Sequence, residues 1–186
     1  MKKDPLYELA EEIRRCTACP LWKKRLLAVP GEGSDTAQVM FIGEAPGADE
    51  DKIGQPFVGI SGKYFFELLD LAELKKETIF VTNAVKCHPF QNRTPFFKEL
   101  NTCQQLWLKK QIEIIQPKLI ILLGRVAIKS LLPQEKIKLT QQHGKIIVQD
   151  GQKYFLTFHP AAARRFPTFK KMIETDFQKI KNLMKK

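Results

Sequence analysis

A carboxylate, an amide and an imidazole stand at the ends of three short apolar runs in the sequence: Glu44, Asn83 and His159. A fourth run ends in the glycine–arginine pair 124–125. If these runs are strands of one open parallel sheet, their carboxyl ends lie at one edge, which is where such sheets bind ligands. Turn formation alone accounts for glycine and proline there, but less well for three groups that exchange protons or hydrogen bonds. The pattern therefore predicts one polar pocket.

Four cysteines form a second group with chemical potential: Cys16, Cys19, Cys87 and Cys103. The first two make a Cys-x-x-Cys pair, but the strand–turn–helix of a thioredoxin-like redox site does not surround it. In a reducing compartment such thiols are better metal ligands than disulfide partners. Their spacing favours a metal or cluster site and leaves zinc and iron–sulfur equally open. Burial in the core is the simpler alternative for the last two.

The chain is strongly basic, with 31 Lys and Arg against 20 Asp and Glu and a formal net charge of +11. This excess favours a polyanionic partner because neutralised phosphates release condensed counterions, although a solvated lysine-rich surface gives the same count. Within residues 159–167, the adjacent Arg164 and Arg165 suit phosphates and Phe166 suits stacking or wedging at bases. A charge pair at a solvated helix start is the alternative.

Apolar patterning places these groups on alternating strands and helices. Strands are predicted at 39–42, 79–82 and 119–123, and an antiparallel pair at 145–148 and 154–157 around a turn at 150–151. Helices are predicted from Asp4 to near Cys16, from a cap at Ser61, over 96–115, over 125–132 and at the carboxyl terminus. The apolar face of the last helix comprises Phe169, Ile173, Phe177, Ile180 and Met184.

This alternation predicts the α/β fold class: one three-layer α/β/α domain over residues 1–186 with a mostly parallel central sheet. The charged amino-terminal segment lacks the apolar region of a secretory signal. No stretch approaches the ~20 apolar residues that a membrane span needs. We therefore expect a cytoplasmic, nucleoid-associated monomer with no membrane partner.

The ordered set of short motifs resembles the family-4 uracil-DNA glycosylases, the iron–sulfur branch of that superfamily. The motifs are the Cys-x-x-Cys pair, Gly-Glu-Ala-Pro-Gly at 43–47 with Glu50-Asp51, Gln-Pro-Phe-Val-Gly at 55–59, Thr-Asn-Ala-Val-Lys-Cys at 82–87, Gln-Asn-Arg at 91–93, Cys103 and His-Pro at 159–160. Each motif is weak alone. Their order and spacing cover nearly the whole chain, and this makes the resemblance specific.

The resemblance implies a base-excision-repair enzyme that hydrolyses the N-glycosidic bond of uracil in single- or double-stranded DNA and leaves an abasic site. By similarity, Phe57 stacks on the extruded uracil, Asn83 reads the pyrimidine edge and His159 donates to a carbonyl oxygen that gains charge. The residues expected to contact the base are Gly43, Glu44, Ala45, Phe57, Asn83 and His159.

The catalytic residues implied by the resemblance are Glu44, Glu50, Asn83 and His159. Ala45 stands where another branch of the superfamily has an aspartate that orients the attacking water. The remaining candidates for that role are Glu44, Glu50 and Asn92, and the sequence does not choose among them.

The resemblance further implies that the four cysteines ligate a 4Fe–4S cluster with a structural role. The residues expected to contact DNA are Asn92, Arg164, Arg165 and Phe166. Many family members have a leucine at the position of Arg164, and that side chain fills the gap left by the extruded base. Here the plug is either Arg164 or Phe166.

Three other functions remain open at this point. One is a related glycosylase with a broader range of damaged bases, such as hypoxanthine. Another is a non-catalytic iron–sulfur protein that binds nucleic acid, and the third is a binding module stabilised by zinc. A non-catalytic protein could have lost Asn83 or His159, yet the sequence holds both.

Overall fold

The computed structural model describes residues 4–185, except for the side chain of Arg165. The strands are β1 (Glu32–Gly33), β2 (Val39–Gly43), β3 (Ile79–Asn83), β4 (Leu119–Leu123), β5 (Ile146–Gln149) and β6 (Gln152–Thr157). The α-helices are α1 (Pro5–Arg15), α2 (Ala48–Ile53), α3 (Ile60–Leu71), α4 (Phe97–Cys103), α5 (Lys109–Ile115), α6 (Arg125–Leu131), α7 (Leu139–Gln142), α8 (Ala161–Arg165) and α9 (Pro167–Met184).

The strands form one sheet in the order β1-β3-β2-β4-β6-β5. The four inner strands are parallel, and β1 and β5 pair antiparallel at the two edges. Every residue of β2, β3 and β4 is buried. Such continuous apolar runs are typical of parallel strands that are covered by helices on both faces.

Helices cover both faces of this sheet. On one face, the ring of Phe41 in β2 lies 5.2 Å from that of Phe65 in α3 and 6.0 Å from that of Phe177 in α9. A separate cluster beside the sheet buries Leu9 and Ile13 of α1 against partners that include Trp107. The predicted three-layer α/β/α architecture with a mostly parallel sheet is confirmed.

The topology also fixes where a ligand can bind. Strand β2 lies between β3 and β4, so the chain leaves this central strand toward one edge and later crosses back to the other side. The carboxyl ends of the strands separate at such a switch point and leave a crevice between the loops. The loops after β2, β3, β4 and β6 all open into it.

Several local predictions are confirmed. Asp4 caps α1, since its carboxylate accepts the amide of Leu6 at 2.9 Å. The hairpin between β5 and β6 turns at Asp150 and Gly151, whose φ angles of 51° and 80° are those of a type I′ turn. The five predicted strands, β2 to β6, begin and end within two residues of their predicted limits, whereas the short edge strand β1 was not predicted.

Two helix predictions need correction. Helix α3 is capped at Gly59, and Ser61 is its second residue, because the Glu50 carboxylate accepts the Gly59 amide and starts the helix earlier. The stretch 96–115 is not a uniform α-helix. A π-helical segment, Gln104–Leu108, separates α4 from α5 directly after Cys103. Such wide turns recur at functional sites.

The apolar face of α9 contains one buried carboxylate that its pattern did not predict. The hydroxyl of Thr157 donates to Asp176 at 2.7 Å, and His143 Nδ1 lies 2.9 Å from the same carboxylate oxygen. Burial raises the pKa of Asp176, and the hydrogen bonds from Thr157 and His143 oppose this. The network fastens α9 to the end of β6, just before the loop that carries His159.

In residues 4–185, no helix combines the length and the apolar character that crossing a membrane requires.

Candidate active site and thiol cluster

A cavity of about 950 Å³ lies beyond the carboxyl ends of the inner strands. Its wall includes Glu44 after β2, Asn83 at the end of β3, Arg125 after β4 and His159 after β6. The structure therefore brings the three polar residues singled out in the sequence to one pocket. The end of β3 and the loops after β2, β4 and β6 supply these groups, and the buried sheet holds them in place.

Asn83 forms part of the floor of the pocket. Its residue surface is 2% exposed, yet none of the described residues hydrogen-bonds its side-chain amide. The backbone carbonyl of Asn83 accepts a hydrogen bond of 2.8 Å from Lys86 Nζ, and Lys86 also donates to Thr82 and Gln111. The strand end is therefore held firmly, while the amide group remains free for a ligand.

Gly43 is the register partner of Asn83 on the adjacent strand. A Cβ at this position would overlap Asn83 Oδ1 and would lie 3.1 Å from Cζ of Phe57. Only glycine leaves room for both side chains. Gly43 was expected to contact the base although it has no side chain. This packing is the reason that the position requires glycine.

Phe57 is buried, with its ring 4.6 Å from that of Phe65 and 5.9 Å from that of His159. The Phe57 and His159 rings are inclined by only 21°. The backbone of Phe57 has a φ of 55°, which costs free energy in a residue with a side chain. Gly62 of α3 permits this conformation, because a Cβ there would overlap the Phe57 carbonyl.

His159 carries its ring proton on Nε2. The amide of Ala161 donates to its Nδ1 at 3.2 Å, and this leaves Nε2–H as the donor of the neutral ring. Burial lowers the pKa of His159 to about 4, so the ring is neutral near pH 7. The site thus holds an uncharged imidazole with a fixed hydrogen-bond donor.

The two pocket carboxylates differ in their surroundings. Both oxygens of Glu50 accept backbone amides, from Gly47 at 3.0 Å and Gly59 at 2.8 Å, and these bonds fix the orientation of the group. Burial raises the pKa of Glu44, and the charge of Arg125 opposes this rise. Asn92 also lines the pocket, with its Oδ1 3.0 Å from His88 Nε2.

The mouth of the pocket is aromatic on the side of α8. Phe166 lines it, is 55% exposed and packs edge-on against Phe169. Arg164 is exposed on α8, and the side chain of Arg165 lies outside the described part of the structure. Ala45, the position that lacks a carboxylate, also lines the cavity.

Other pocket residues were not given a role by sequence reasoning. Arg93, Arg125 and Lys138 bring positive charge to the wall, and residues 137–140 close one side of it. Arg125 follows β4 in the same way that Glu44 follows β2, so its position at a strand end was the available signal. Nothing in the pattern of residues 137–140 indicated a contact with the site.

The four cysteines come together away from this pocket, near the π-helical segment. Burial raises the pKa of the Cys103 thiol to about 12, and Cys87 and Cys19 lie close enough to affect it. Burial likewise raises the pKa of Cys87, on which Cys19 and Cys16 also act. Residues far apart in the sequence therefore form one thiol cluster, defined as Cys16, Cys19, Cys87 and Cys103.

Each sulfur of the thiol cluster receives an N–H group. Trp107 Nε1 lies 3.3 Å from Cys16, and Arg25 Nη1 lies 2.9 Å from Cys87. The backbone amide of Leu21 bonds to Cys19, and that of Lys86 bonds to Cys103. N–H groups close to sulfur are a common environment for ligated cysteines.

The arrangement does not suit a single metal ion. Within residues 4–185, no three side chains of His, Cys, Asp or Glu are grouped to hold one. Four thiolates around a multinuclear cluster lie farther apart, because each binds a different metal atom. Four cysteine sulfurs with N–H groups close to them are a donor set that fits an iron–sulfur cluster.

The fold agrees with comparisons against known proteins. The family model described as the uracil DNA glycosylase superfamily matches residues 30–181. The type-4 uracil-DNA glycosylase of Sulfurisphaera tokodaii is 42% identical over 188 aligned positions, which cover 97% of this chain and 85% of that protein. The chain belongs to the type-4 uracil-DNA glycosylase family.

Two further relatives show how identity and coverage differ between the type-4 and type-5 families. The type-4 uracil-DNA glycosylase of Thermotoga maritima is 37% identical, with 99% of this chain and 97% of that protein covered. The type-5 uracil-DNA glycosylase of Pyrobaculum aerophilum is 27% identical, with coverages of 80% and 71%. The type-4 alignments extend over nearly the whole chain, so they include the segment that carries Cys16 and Cys19, which the family model leaves out.

Proposed function

We propose that this chain removes uracil from DNA by hydrolysing the N-glycosidic bond, as the first step of base excision repair. It is a uracil-DNA glycosylase, and its substrate is DNA. The observation that carries the proposal is the unpartnered amide of Asn83 on the pocket floor, next to the ring of Phe57 across Gly43.

Asn83 reads the base. Its Oδ1 accepts N3–H of uracil while its Nδ2 donates to O4, the two complementary positions on the pyrimidine edge. Cytosine offers an acceptor at N3 and a donor at N4, so the same amide orientation opposes it. The firm anchoring of the Asn83 backbone by Lys86 supports this discrimination, because a mobile amide could adapt to either base.

The base must leave the duplex to reach this floor, at a cost of a few kcal/mol. Phe57 provides an apolar face for the extruded ring, and its strained backbone is held by α3 before any base arrives. A rigid face loses little conformational entropy on binding. Arg164, Arg165 and Asn92 contact the DNA backbone, and Phe166 or Arg164 fills the vacated space.

The reaction breaks the bond between C1′ and N1, and the electron pair leaves with the base. His159 Nε2–H donates to uracil O2, where negative charge develops as the bond breaks. Water adds to C1′ of the cationic sugar, and its lost proton balances the protonation of the departing uracil. Glu50 orients this water, since two amides fix its carboxylate, and Glu44 and Asn92 assist.

The four cysteines of the thiol cluster would hold a 4Fe–4S cluster, which would supply covalent links between chain segments and take no part in the reaction. Cys16 follows α1 directly, and Cys19 directly precedes the 3-10 turn Pro20–Lys23. Cys87 lies in the loop after β3, and Cys103 ends α4. A cluster bound there would tie these segments to the loop that follows Asn83. Metal binding of this kind contributes directly to folding stability.

The low pKa of His159 leads to a testable pH dependence. Because the ring stays neutral until the pH falls toward about 4, the single-turnover rate should have no inflection between pH 6 and 7. His159→Ala should lower that rate roughly 10²- to 10³-fold, and His159→Gln, which keeps a donor, should recover part of it. An inflection near pH 6.5 that disappears in His159→Gln would instead mean that the cationic imidazole acts.

The range of bases tests the proposed function against its alternatives. Oligonucleotides with one uracil, one hypoxanthine or one cytosine are incubated with the protein, and abasic sites are then cleaved by alkali. We expect cleavage at uracil and intact strands with cytosine. Efficient cleavage at hypoxanthine would assign the broader activity, and intact strands throughout would assign a non-catalytic binding protein.

A further inference from the structure

Two exposed phenylalanines flank the segment that forms one rim of the pocket. Phe90 is 53% exposed and Phe96 is 62% exposed. Between them, Asn92, Arg93 and Thr94 line the cavity. Large apolar rings are costly to leave in water, and here the chain places two beside a site for a polyanion.

A cation lies over each ring. Lys24 Nζ is 4.0 Å from the centroid of Phe90, and the guanidinium of Arg93 is 4.0 Å from that of Phe96. Arg93 is held by two hydrogen bonds to Glu99, of 2.7 and 2.8 Å, and Glu99 also accepts the amide of Phe96. Arg93 and Phe96 therefore form one rigid unit, with the phenyl ring still largely open to solvent.

The backbone between the rings is also strained. Gln91 and Asn92 both have positive φ angles, 57° and 55°, within the 3-10 turn Phe90–Asn92. Two successive residues of this kind cost free energy, and such strain concentrates at binding sites. The strained turn orients Phe90 outward while Asn92 faces the pocket.

We propose that Phe90 and Phe96 form a stacking platform for unpaired nucleotides on either side of the extruded uracil. The proposal rests on the proposed function, because that function places DNA at this rim. Exposed aromatic rings with cations beside them are the groups that bind single-stranded DNA. Each phenyl ring stacks on a base, and the positive charges of Lys24 and Arg93 attract the phosphates beside that base.

The chemistry of the platform favours unpaired DNA over two other occupants. In a duplex, neighbouring bases already cover both faces of each base, so a phenyl ring gains little there. A protein partner would bind best to phenyl rings without charged groups beside them, because the cores of such interfaces are depleted of charge. Here a cation lies over each ring, and the chain has a net charge of +11, which favours a polyanion.

The test measures binding of the full-length protein to uracil-free oligonucleotides by fluorescence anisotropy, in single-stranded and duplex form. Phe90→Ala and Phe96→Ala should each weaken single-strand binding roughly 5- to 30-fold and change duplex binding less than 2-fold. The slope of binding against salt should stay unchanged, since no charge is removed. Phe90→Trp keeps an aromatic ring and should bind single strands as tightly as the wild type. Tyr7→Ala removes a similarly exposed ring from α1 and should leave single-strand binding unchanged.

Equal binding of the alanine variants and the wild type to single strands would overturn the platform and would point to another occupant, such as a protein. Equal losses on single strands and duplex would also overturn it. Release of uracil is measured in parallel. A protein that binds through these rings but releases no uracil would refute the proposed function and leave the platform standing. The Arg164 plug predicts the opposite preference, with Arg164→Ala harming duplex substrates more.

Discussion

Asn83→Ala is expected to slow uracil release about 10²- to 10³-fold in single-turnover measurements. The variant removes both hydrogen bonds to the pyrimidine edge and leaves N3–H and O4 of the bound base without partners, which is costly in a buried site. Salt-dependent DNA binding should remain near its normal strength, because phosphate contacts dominate that affinity. The loss therefore belongs to base recognition in the transition state.

Two variants control this experiment. Asn101→Ala removes the same side chain from an exposed site on α4 and should leave the rate unchanged. Gly43→Ala keeps Asn83 but forces its amide and the Phe57 ring aside, and should lower the rate nearly as much. Full activity of Asn83→Ala would show that another group reads uracil. Full activity of Gly43→Ala would mean that the floor tolerates rearrangement.

Cys103→Ala is expected to abolish bound iron and the visible absorption of the protein. Cys103 is buried at the end of α4, and the variant removes one of the four proposed cluster ligands. Losing the cluster should cost on the order of 4 kcal/mol of stability. For a chain of this size the Tm falls by about 10 °C.

The comparison that isolates the cluster uses wild-type protein from which iron has been removed by a chelator. If the cluster accounts for the stability, this protein and Cys103→Ala should have similar Tm values. A variant that keeps its full iron content would contradict the assignment of Cys103 as a ligand. Stoichiometric zinc in protein purified without air would contradict the iron–sulfur assignment itself.

The sheet and the edge of the pocket could be predicted because β2, β3 and β4 are short, fully buried runs, and because polar residues stand at or just after the ends of β2, β3 and β6. Glu44, Asn83 and His159 needed only the rule that parallel strands end at one edge. The neutral state of His159 could not be predicted, because it depends on burial and on the amide of Ala161. Likewise, the role of Gly43 follows from a close approach to Asn83 that sequence spacing does not encode.

Buried polar groups set the other limit on prediction from the sequence. Lys86 belongs to a motif recognised for its asparagine and cysteine, yet its fully buried ammonium is what holds the end of β3. Asp176 interrupts the apolar face of α9 because it finds Thr157 and His143 across the core. The burial of both charged groups depends on hydrogen-bond partners that are distant in the sequence. The local sequence pattern therefore does not predict it.

The central claim is that this pocket hydrolyses the bond between uracil and deoxyribose. The most direct measurement is a single turnover on a uracil-containing oligonucleotide in ¹⁸O-labelled water, followed by mass spectrometry of both products. The account predicts free uracil without label and an abasic strand that carries one ¹⁸O at C1′, with both products absent in Asn83→Ala on the same timescale. An intact, unlabelled strand, or a strand cut in its phosphate backbone with uracil still attached, would contradict it.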